Sequence, residues 1–267
     1  MNSTNSTADI PVNSIGNISF TPLYAPNVIF TVIFSLLLLA QIILTTVYYR
    51  FYGYATGMLG GLLLELLGYA AKVMLSHDRG NKNGYIMYII GLTLGPTFLS
   101  SSLYLSISAI LRHYQATCLR PVGPRLFSTL FITGDFICLC FIGIGGSLAA
   151  IYAEDPIGVD LMIAGLATQV LFTAIFCVVL SILRRDLRQR LVEDGRKWFM
   201  IGLLVAAACL FIRSCWRVAE LSDGFNGPLA SMEGVFIALD SIPMVIMSVL
   251  LTVLHPRRLG RGHHVLG

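Results

Sequence analysis

Seven stretches of about 20 mostly apolar residues run through this 267-residue chain, with short polar segments between them. A helix of about 20 apolar residues crosses the hydrocarbon core of a bilayer. Charged residues make up only 12% of the chain, against about 25% in soluble domains. The sequence therefore predicts an all-α membrane protein, a bundle of seven transmembrane helices, over Asn27–Val47, Tyr54–Leu75, Tyr85–Leu111, Phe127–Ile151, Gly158–Leu183, Phe199–Ala219 and Ala230–Leu254.

The chain outside these spans is short. We expect a first tail over residues 1–26, the helix bundle over residues 27–254 and a second tail over residues 255–267. The segments between spans are too short for a soluble catalytic domain, which needs about 50 residues or more. The first tail has no basic stretch followed by an apolar one, so we expect no cleaved signal peptide.

Basic residues and sequons indicate the orientation. If the N-terminus is outside, the cytoplasmic segments hold thirteen Lys and Arg residues, whereas the outer loops hold only Arg79 and Lys82. Such an excess is typical of cytoplasmic loops. Sequons at Asn2, Asn5 and Asn17 fit an N-glycosylated outer tail. We therefore expect an outside N-terminus, a cytoplasmic C-terminus and a plasma-membrane location, with basic loops that contact anionic lipid and not nucleic acid.

Several kinds of chemistry lack the residues they need. All five histidines lie outside the spans, so a zinc site within the bundle would have no imidazole ligands. The six cysteines show no metal-type spacing, and the chain contains no P-loop and no G-x-S-x-G. We expect no metal, no cofactor and no enzymatic activity.

Charges inside the spans are the main candidates for function, because a charge within a bilayer is expensive and usually marks a buried pair or a polar pathway. They are Glu65, Lys72, Asp135, Arg213, Arg217, Glu220, Glu233 and Asp240. On the sixth span, Arg213, Arg217 and Glu220 share a helix face. On the seventh, Glu233 and Asp240 share one. Because a short outer turn joins these spans, we predict a ladder of charges that locks the helices or gates the outer side. Arg217 would contact Glu233 near the surface, and Arg213 would contact Asp240 deeper.

Two of the acids have no obvious partner. Glu65 lies near the middle of the second span and Asp135 in the inner half of the fourth. Each must find Arg213, a hydroxyl or amide group, or a cavity, or else hold a proton. Lys72 is close enough to the outer end for its ammonium group to reach the surface. With all eight groups ionised the interior has a net charge of −2. We expect Glu65, Asp135 and Asp240 to receive a cationic head group or a coupling proton.

Small residues and prolines predict how the helices pack and bend. Glycines spaced four apart, at 57 and 61 and again at 91 and 95, favour close contact between helix backbones. Pro96 and Pro243 lie inside spans and should kink their helices. A carbonyl freed at such a kink needs a new partner or lines a cavity.

Five short motifs occur in order along the spans: Glu65-Leu-Leu-Gly-Tyr69, Pro96 with Tyr104, Asp135 with Gly145-Gly146, Arg213-x-x-x-Arg217-x-x-Glu220-x-x-x-Gly224, and Glu233 with Asp240. From about residue 48 to residue 254 the chain resembles the fungal RTA-like proteins, the lipid-translocating exporter family with an RTA1-like domain. Two positions depart from the pattern of that family. Ile142 stands where Gln is common and Ile237 where Tyr is common, so both changes remove a polar group from the presumed interior.

The resemblance implies a membrane exporter or translocator of amphipathic molecules, such as sphingoid bases or sterol-like toxins, that contributes to resistance. A sphingoid base is a cationic amphiphile, which fits an acid-rich interior. Two alternatives remain open: a seven-transmembrane receptor or lipid sensor, and an intramembrane enzyme that uses paired carboxylates. The receptor is disfavoured because the third span ends Leu111-Arg-His-Tyr114 without an acidic neighbour. The oligomeric state stays open.

Overall fold

The structure, a computed structural model, describes residues 23–47, 52–77, 81–114, 123–151, 157–193, 197–222 and 232–254. These residues form helices and no strand: α1 (Tyr24–Val47), α2 (Tyr52–His77), α3 (Lys82–Tyr114), α4 (Pro124–Ile151), α5 (Ile157–Asp186), α6 (Arg188–Glu193), α7 (Lys197–Ser222) and α8 (Glu233–Val253). All except α6 contain a segment long and apolar enough to cross a bilayer, which confirms the seven predicted spans. The sequons at Asn2, Asn5 and Asn17 lie outside the described residues.

The outward surface of the bundle is apolar. Leu36 on α1, Phe136 on α4 and Val178 on α5 are 62%, 63% and 59% exposed, and they are three of many large apolar side chains in this position. Soluble monomers rarely expose contiguous apolar surface on this scale. Hydrocarbon is the solvent that suits such a surface, so the chain is a multi-pass membrane protein.

Glycines bring α2 and α3 into close contact; the sequence predicted close packing at these glycines but not which helices would meet. A Cβ atom at Gly91 would lie 2.6 Å from the carbonyl oxygen of Leu64 and 2.7 Å from the backbone of Gly68. A Cβ atom at Gly95 would lie 3.0 Å from the side chain of Glu65. The missing side chains therefore let the two backbones approach, and they leave room for a carboxylate between the helices.

Hydrogen bonds join helix ends at both ends of the bundle. At the end that we call the N-face, the Leu23 N–H before α1 donates to Glu233 at the start of α8, over 2.7 Å. At the opposite end, the C-face, the Tyr54 hydroxyl near the start of α2 donates to the Leu251 carbonyl near the end of α8, over 2.6 Å. Hydrogen bonds therefore tie α8 to the start of α1 at the N-face and to α2 at the C-face.

The helix α8 contains a π-helical turn over Ile237–Ser241. Within it, the Ile242 N–H donates to the Ile237 carbonyl five residues earlier. The next residue, Pro243, has no N–H, so the ordinary α-helical bond to the residue four positions earlier cannot form there. Single π-helical turns inside helices occur frequently at functional sites. This one carries Asp240, which is completely buried.

Candidate functional site

Arg213 of α7 is the centre of a buried group of charges. Its Nε donates to Oδ1 of Asp240 on α8 over 3.0 Å. Its Nη1 lies 3.5 Å from Oε1 of Glu65 on α2. Both carboxylates are fully buried and Arg213 is 2% exposed. The contact predicted between Arg213 and Asp240 is present, and Glu65 finds Arg213, one of the partners that the sequence offered it.

A backbone carbonyl on α3 completes the surroundings of Arg213. Nη2 of Arg213 donates to the carbonyl oxygen of Leu92. In an uninterrupted α-helix this carbonyl would accept from the N–H four residues later. That residue is Pro96, which lies inside α3 and has no N–H. The guanidinium therefore supplies the donor that the proline removes. The sequence predicted a freed carbonyl, and counting four residues back from Pro96 would have identified it.

The outer contacts differ from the predicted ladder. Glu233 lies 3.3 Å from the ammonium group of Lys72 on α2. Arg217 forms its ion pair with Glu220 on its own helix, over 2.6 Å. The predicted rung between Arg217 and Glu233 is thus not formed in the described part of the chain. The reason is geometric: residues three apart on one helix already face each other, and α2 offers Glu233 a closer cation.

Lys72 does not reach the surface, so that expectation was wrong. It is only 2% exposed. Its Nζ lies 3.6 Å from the centroid of the Phe236 ring and 5.5 Å from that of Tyr88. A carboxylate and two aromatic faces take the place of water around the ammonium group. Lys72 and Glu233 therefore connect α2 with α8 towards the N-face, as Glu65, Arg213 and Asp240 connect α2, α7 and α8 deeper in the bundle.

Asp135 belongs to a separate site between α3 and α4. The hydroxyl groups of Ser100 and Tyr104 donate to its Oδ2 over 2.7 and 3.0 Å. Among the described residues no basic side chain pairs with it, and its Oδ1 has no hydrogen-bond partner. The rings of Phe131 and Phe176 pack against Tyr104, at centroid distances of 5.4 and 4.6 Å. Hydroxyl groups were one of the predicted partners for Asp135.

Two adjacent hollows lie between α3 and the helices α4, α5 and α7. The larger is an apolar groove of about 430 Å³ between α3 and α4, with Ile89, Leu139 and Met162 among its walls. This volume falls in the range of small-molecule pockets, roughly 300–1,000 Å³. The smaller hollow, of about 20 Å³, has both polar and apolar walls, and the residues that line it include Gln169, Ser214 and both arginines of α7. Thr93 lines both hollows, so the two adjoin each other.

Among the described residues, no group of three or more His, Cys, Asp or Glu side chains could hold a metal ion. The family model described as "RTA1 like protein" matches residues 58–263, a range that contains all the buried charges described above. This chain belongs to the RTA1-like family. The resemblance seen in the five motifs is thereby confirmed.

Three proteins of Saccharomyces cerevisiae are similar to this chain. The sphingoid long-chain base transporter RSB1 is 26% identical over 271 aligned residues, which cover 86% of this chain and 70% of that protein. Protoporphyrin uptake protein 1 is 26% identical over 201 residues, covering 72% of this chain and 65% of its own. Protein RTM1 is 24% identical over 200 residues, covering 72% and 64%. No solved structure matches significantly. Together these similarities support a membrane transporter role of the lipid-handling type.

Proposed function

We propose that this protein translocates amphipathic molecules across a membrane and that the charges around Arg213 couple the movement to a proton or a cationic head group. Its substrates would be sphingoid-base-like lipids, sterol-like toxins or related small molecules, and their export would contribute to resistance. The observation that carries the proposal is the placing of two buried carboxylates, Glu65 and Asp240, around one buried guanidinium. The transport and uptake named for two of the relatives support the same class of function.

The numbers of charges explain why this centre would respond to a cation. One arginine neutralises one carboxylate, so Glu65 and Asp240 together leave a surplus negative charge when both are ionised. Burial makes an unneutralised charge very costly. A bound proton or an ammonium group removes that cost. Binding and release of this cation would therefore change which of the two carboxylates pairs with Arg213. Two conformations that differ in this pairing would bind the cation with different affinities, and a difference of this kind shifts a protein between two conformations.

The two hollows beside α3 suggest where an amphiphile would bind. Its alkyl chain would occupy the apolar groove between α3 and α4. The smaller hollow beyond Thr93 has a volume of about 20 Å³, which is room for about one water-sized group. A hydroxyl group of the head would lie there, near the amide of Gln169 and the guanidinium of Arg217.

The orientation of the chain forms part of the proposal. We place the N-terminus outside the plasma membrane and the C-terminus in the cytoplasm, on the distribution of basic residues in the sequence. Glycosylation of the sequons supplies the test. Treatment with an endoglycosidase should increase the gel mobility of the wild-type protein, and replacing Asn2, Asn5 and Asn17 by Gln should abolish that change.

The direct test is the flux of a fluorescent sphingoid base in liposomes that contain the purified protein. We expect Glu65→Gln and Asp240→Asn to slow the flux by about tenfold or more, because coupling free energies are typically 1–3 kcal/mol. Asp160→Asn is the matched control, since Asp160 is an exposed carboxylate on α5. In cells, Asp240→Asn should abolish tolerance to added long-chain base while the amount of protein at the surface stays normal.

The outcomes separate the alternatives. Wild-type protein that is folded but moves no amphiphile would favour a receptor or lipid sensor. Flux that is equal in wild type, Glu65→Gln and Asp240→Asn would show that the protein transports but that the buried charges do not couple transport. A loss of flux in Asp160→Asn as large as in Asp240→Asn would point to a general effect of charge.

A further inference from the structure

A basic hollow of about 570 Å³ lies at the C-face, where α5 ends, α6 follows and α7 begins. Four basic side chains line it: Arg184, Arg185, Arg188 and Lys197. None of the described residues that line it is acidic. Asp186, the nearest acid in this part of the sequence, is exposed and is not among the described lining residues. The hollow is therefore a concave surface with a high density of positive charge.

The local sequence explains why the arginines are held in position. Leu183, Leu187 and Leu191 recur every four residues and are at most 3% exposed. The backbone bonds continue through this stripe, because the Leu187 N–H donates to Leu183 and the Leu191 N–H donates to Leu187, over 3.0 and 2.9 Å. The buried leucines fix the segment against the bundle, so the intervening arginines are presented on a regular helical surface and not on a free loop.

These cations have no counter-ion within the described part of the chain. Arg184, Arg185, Arg188 and Lys197 take part in none of its ion pairs. Arg184 and Arg188 are four residues apart along a helical segment, a spacing at which like charges destabilise a helix. Lys197 is also the first residue of α7, a 26-residue helix whose N-terminal amide groups and dipole favour an anion. Both features favour a bound anion with more than one negative charge.

The wall of the hollow favours an anion that is part of a lipid. Met200, Ile201 and Leu204 of α7 also line it, and they lead from the basic end towards the apolar part of the span. Basic hollows between transmembrane helices at this depth can hold phosphorylated head groups while the acyl chains stay in the bilayer. We propose that this hollow binds the head group of an anionic phospholipid, with its acyl chains along Ile201 and Leu204.

This site is separate from the charges around Arg213 and does not depend on what the protein transports. Its test is the binding of a fluorescent phosphatidylinositol bisphosphate to the purified full chain in neutral detergent. We expect Arg184→Gln/Arg188→Gln to weaken binding roughly 25-fold, because each basic residue near a lipid surface contributes about fivefold. Arg184→Lys/Arg188→Lys keeps the charges and should retain most of the affinity.

Arg112→Gln/Arg125→Gln is the matched control. Both residues are exposed arginines near the C-face ends of α3 and α4, outside the described lining of the hollow, and the variant removes the same net charge. We expect its affinity for the lipid to equal that of the wild type. Thermal unfolding in the same detergent shows whether each variant is folded. Should Arg184→Gln/Arg188→Gln not fold, Lys197→Gln provides a milder variant, for which we expect about fivefold weaker binding.

Three results would overturn the proposal. Equal weakening by both double Gln variants would mean that only overall charge matters. Wild-type affinity in a folded Arg184→Gln/Arg188→Gln variant, or in Lys197→Gln where that variant replaces it, would show that the hollow is not the site. Binding of a water-soluble inositol phosphate as tightly as the lipid, with the same dependence on Arg184 and Arg188, would assign the hollow to a free anion.

Discussion

Replacing Arg213 with Met tests the buried centre most directly. The substitution keeps a long apolar side chain but removes the guanidinium that contacts Asp240 at 3.0 Å and Glu65 at 3.5 Å. It also deprives the Leu92 carbonyl of its donor. Two carboxylates, both 0% exposed, then lose their cation. The free energy of unfolding of the variant should therefore fall by the full cost of leaving buried charges without a partner.

Removing one partner of a buried ion pair typically costs about 3–5 kcal/mol. For a chain of this size each kcal/mol lowers the unfolding temperature by about 2–4 °C. We therefore expect Arg213→Met to unfold about 6–20 °C below the wild type. Thermal unfolding of the purified protein in detergent, followed by intrinsic fluorescence, measures this difference.

The triple variant Arg213→Met/Glu65→Gln/Asp240→Asn separates charge from packing. It removes the cation and both anions, and replacing a whole buried ionic group by neutral residues is often close to neutral for stability. We expect it to recover at least about half of the lost unfolding temperature. An Arg213→Met variant that unfolds within about 2 °C of the wild type would refute the reasoning. So would a triple variant that is no more stable than Arg213→Met.

Three further substitutions test other contacts. Gly91→Ala should destabilise the protein by about 1–3 kcal/mol because backbone atoms occupy the space of the new methyl group, whereas Gly143→Ala, which meets nothing within 4 Å, should leave thermal unfolding unchanged. Pro96→Ala restores an N–H that competes for the Leu92 carbonyl, so it should slow flux without lowering the unfolding temperature. Tyr104→Phe removes a hydrogen bond to a buried carboxylate and should cost about 1.5–3 kcal/mol in the same unfolding assay.

Contacts between consecutive helices could be predicted from the sequence only in part, since the predicted rung between Arg217 and Glu233 is not formed in the described part of the chain. The sixth and seventh spans are joined by a short segment, so helical spacing alone was enough to place Arg213 opposite Asp240, and the structure has that contact. For the glycines of α2 and α3, the sequence predicted close packing but not which helices would meet, although these helices also follow each other in the chain. Periodicity identifies the face of each helix, and a short connection identifies the neighbour.

Contacts between helices that are distant in the chain were predicted only as alternatives or not at all, because the sequence offered Glu65 several partners, Arg213 among them, and offered Lys72 none. Glu65 and Lys72 lie on α2, yet their partners Arg213 and Glu233 lie on α7 and α8. Nothing in the spacing of one helix specifies which remote helix packs against it. The contact of the Leu92 carbonyl was missed for another reason. A backbone carbonyl is not identified by any side chain, and only the proline four residues later indicates that this one lacks its helical donor.

Each charged group of the acid-rich interior has identified partners in the structure. Lys72 with Glu233 and Arg217 with Glu220 are balanced ion pairs. The interior has a net charge of −2 with all eight groups ionised, so this surplus lies in the remaining contacts. One surplus negative charge lies around Arg213, because its single guanidinium faces two carboxylates. The other is that of Asp135, whose described partners are hydroxyl groups. We therefore propose that a proton or cationic head group that enters the bundle is stabilised most at these two places. Both contact α3, at Leu92 and at Ser100 with Tyr104, and α3 also lines the apolar groove.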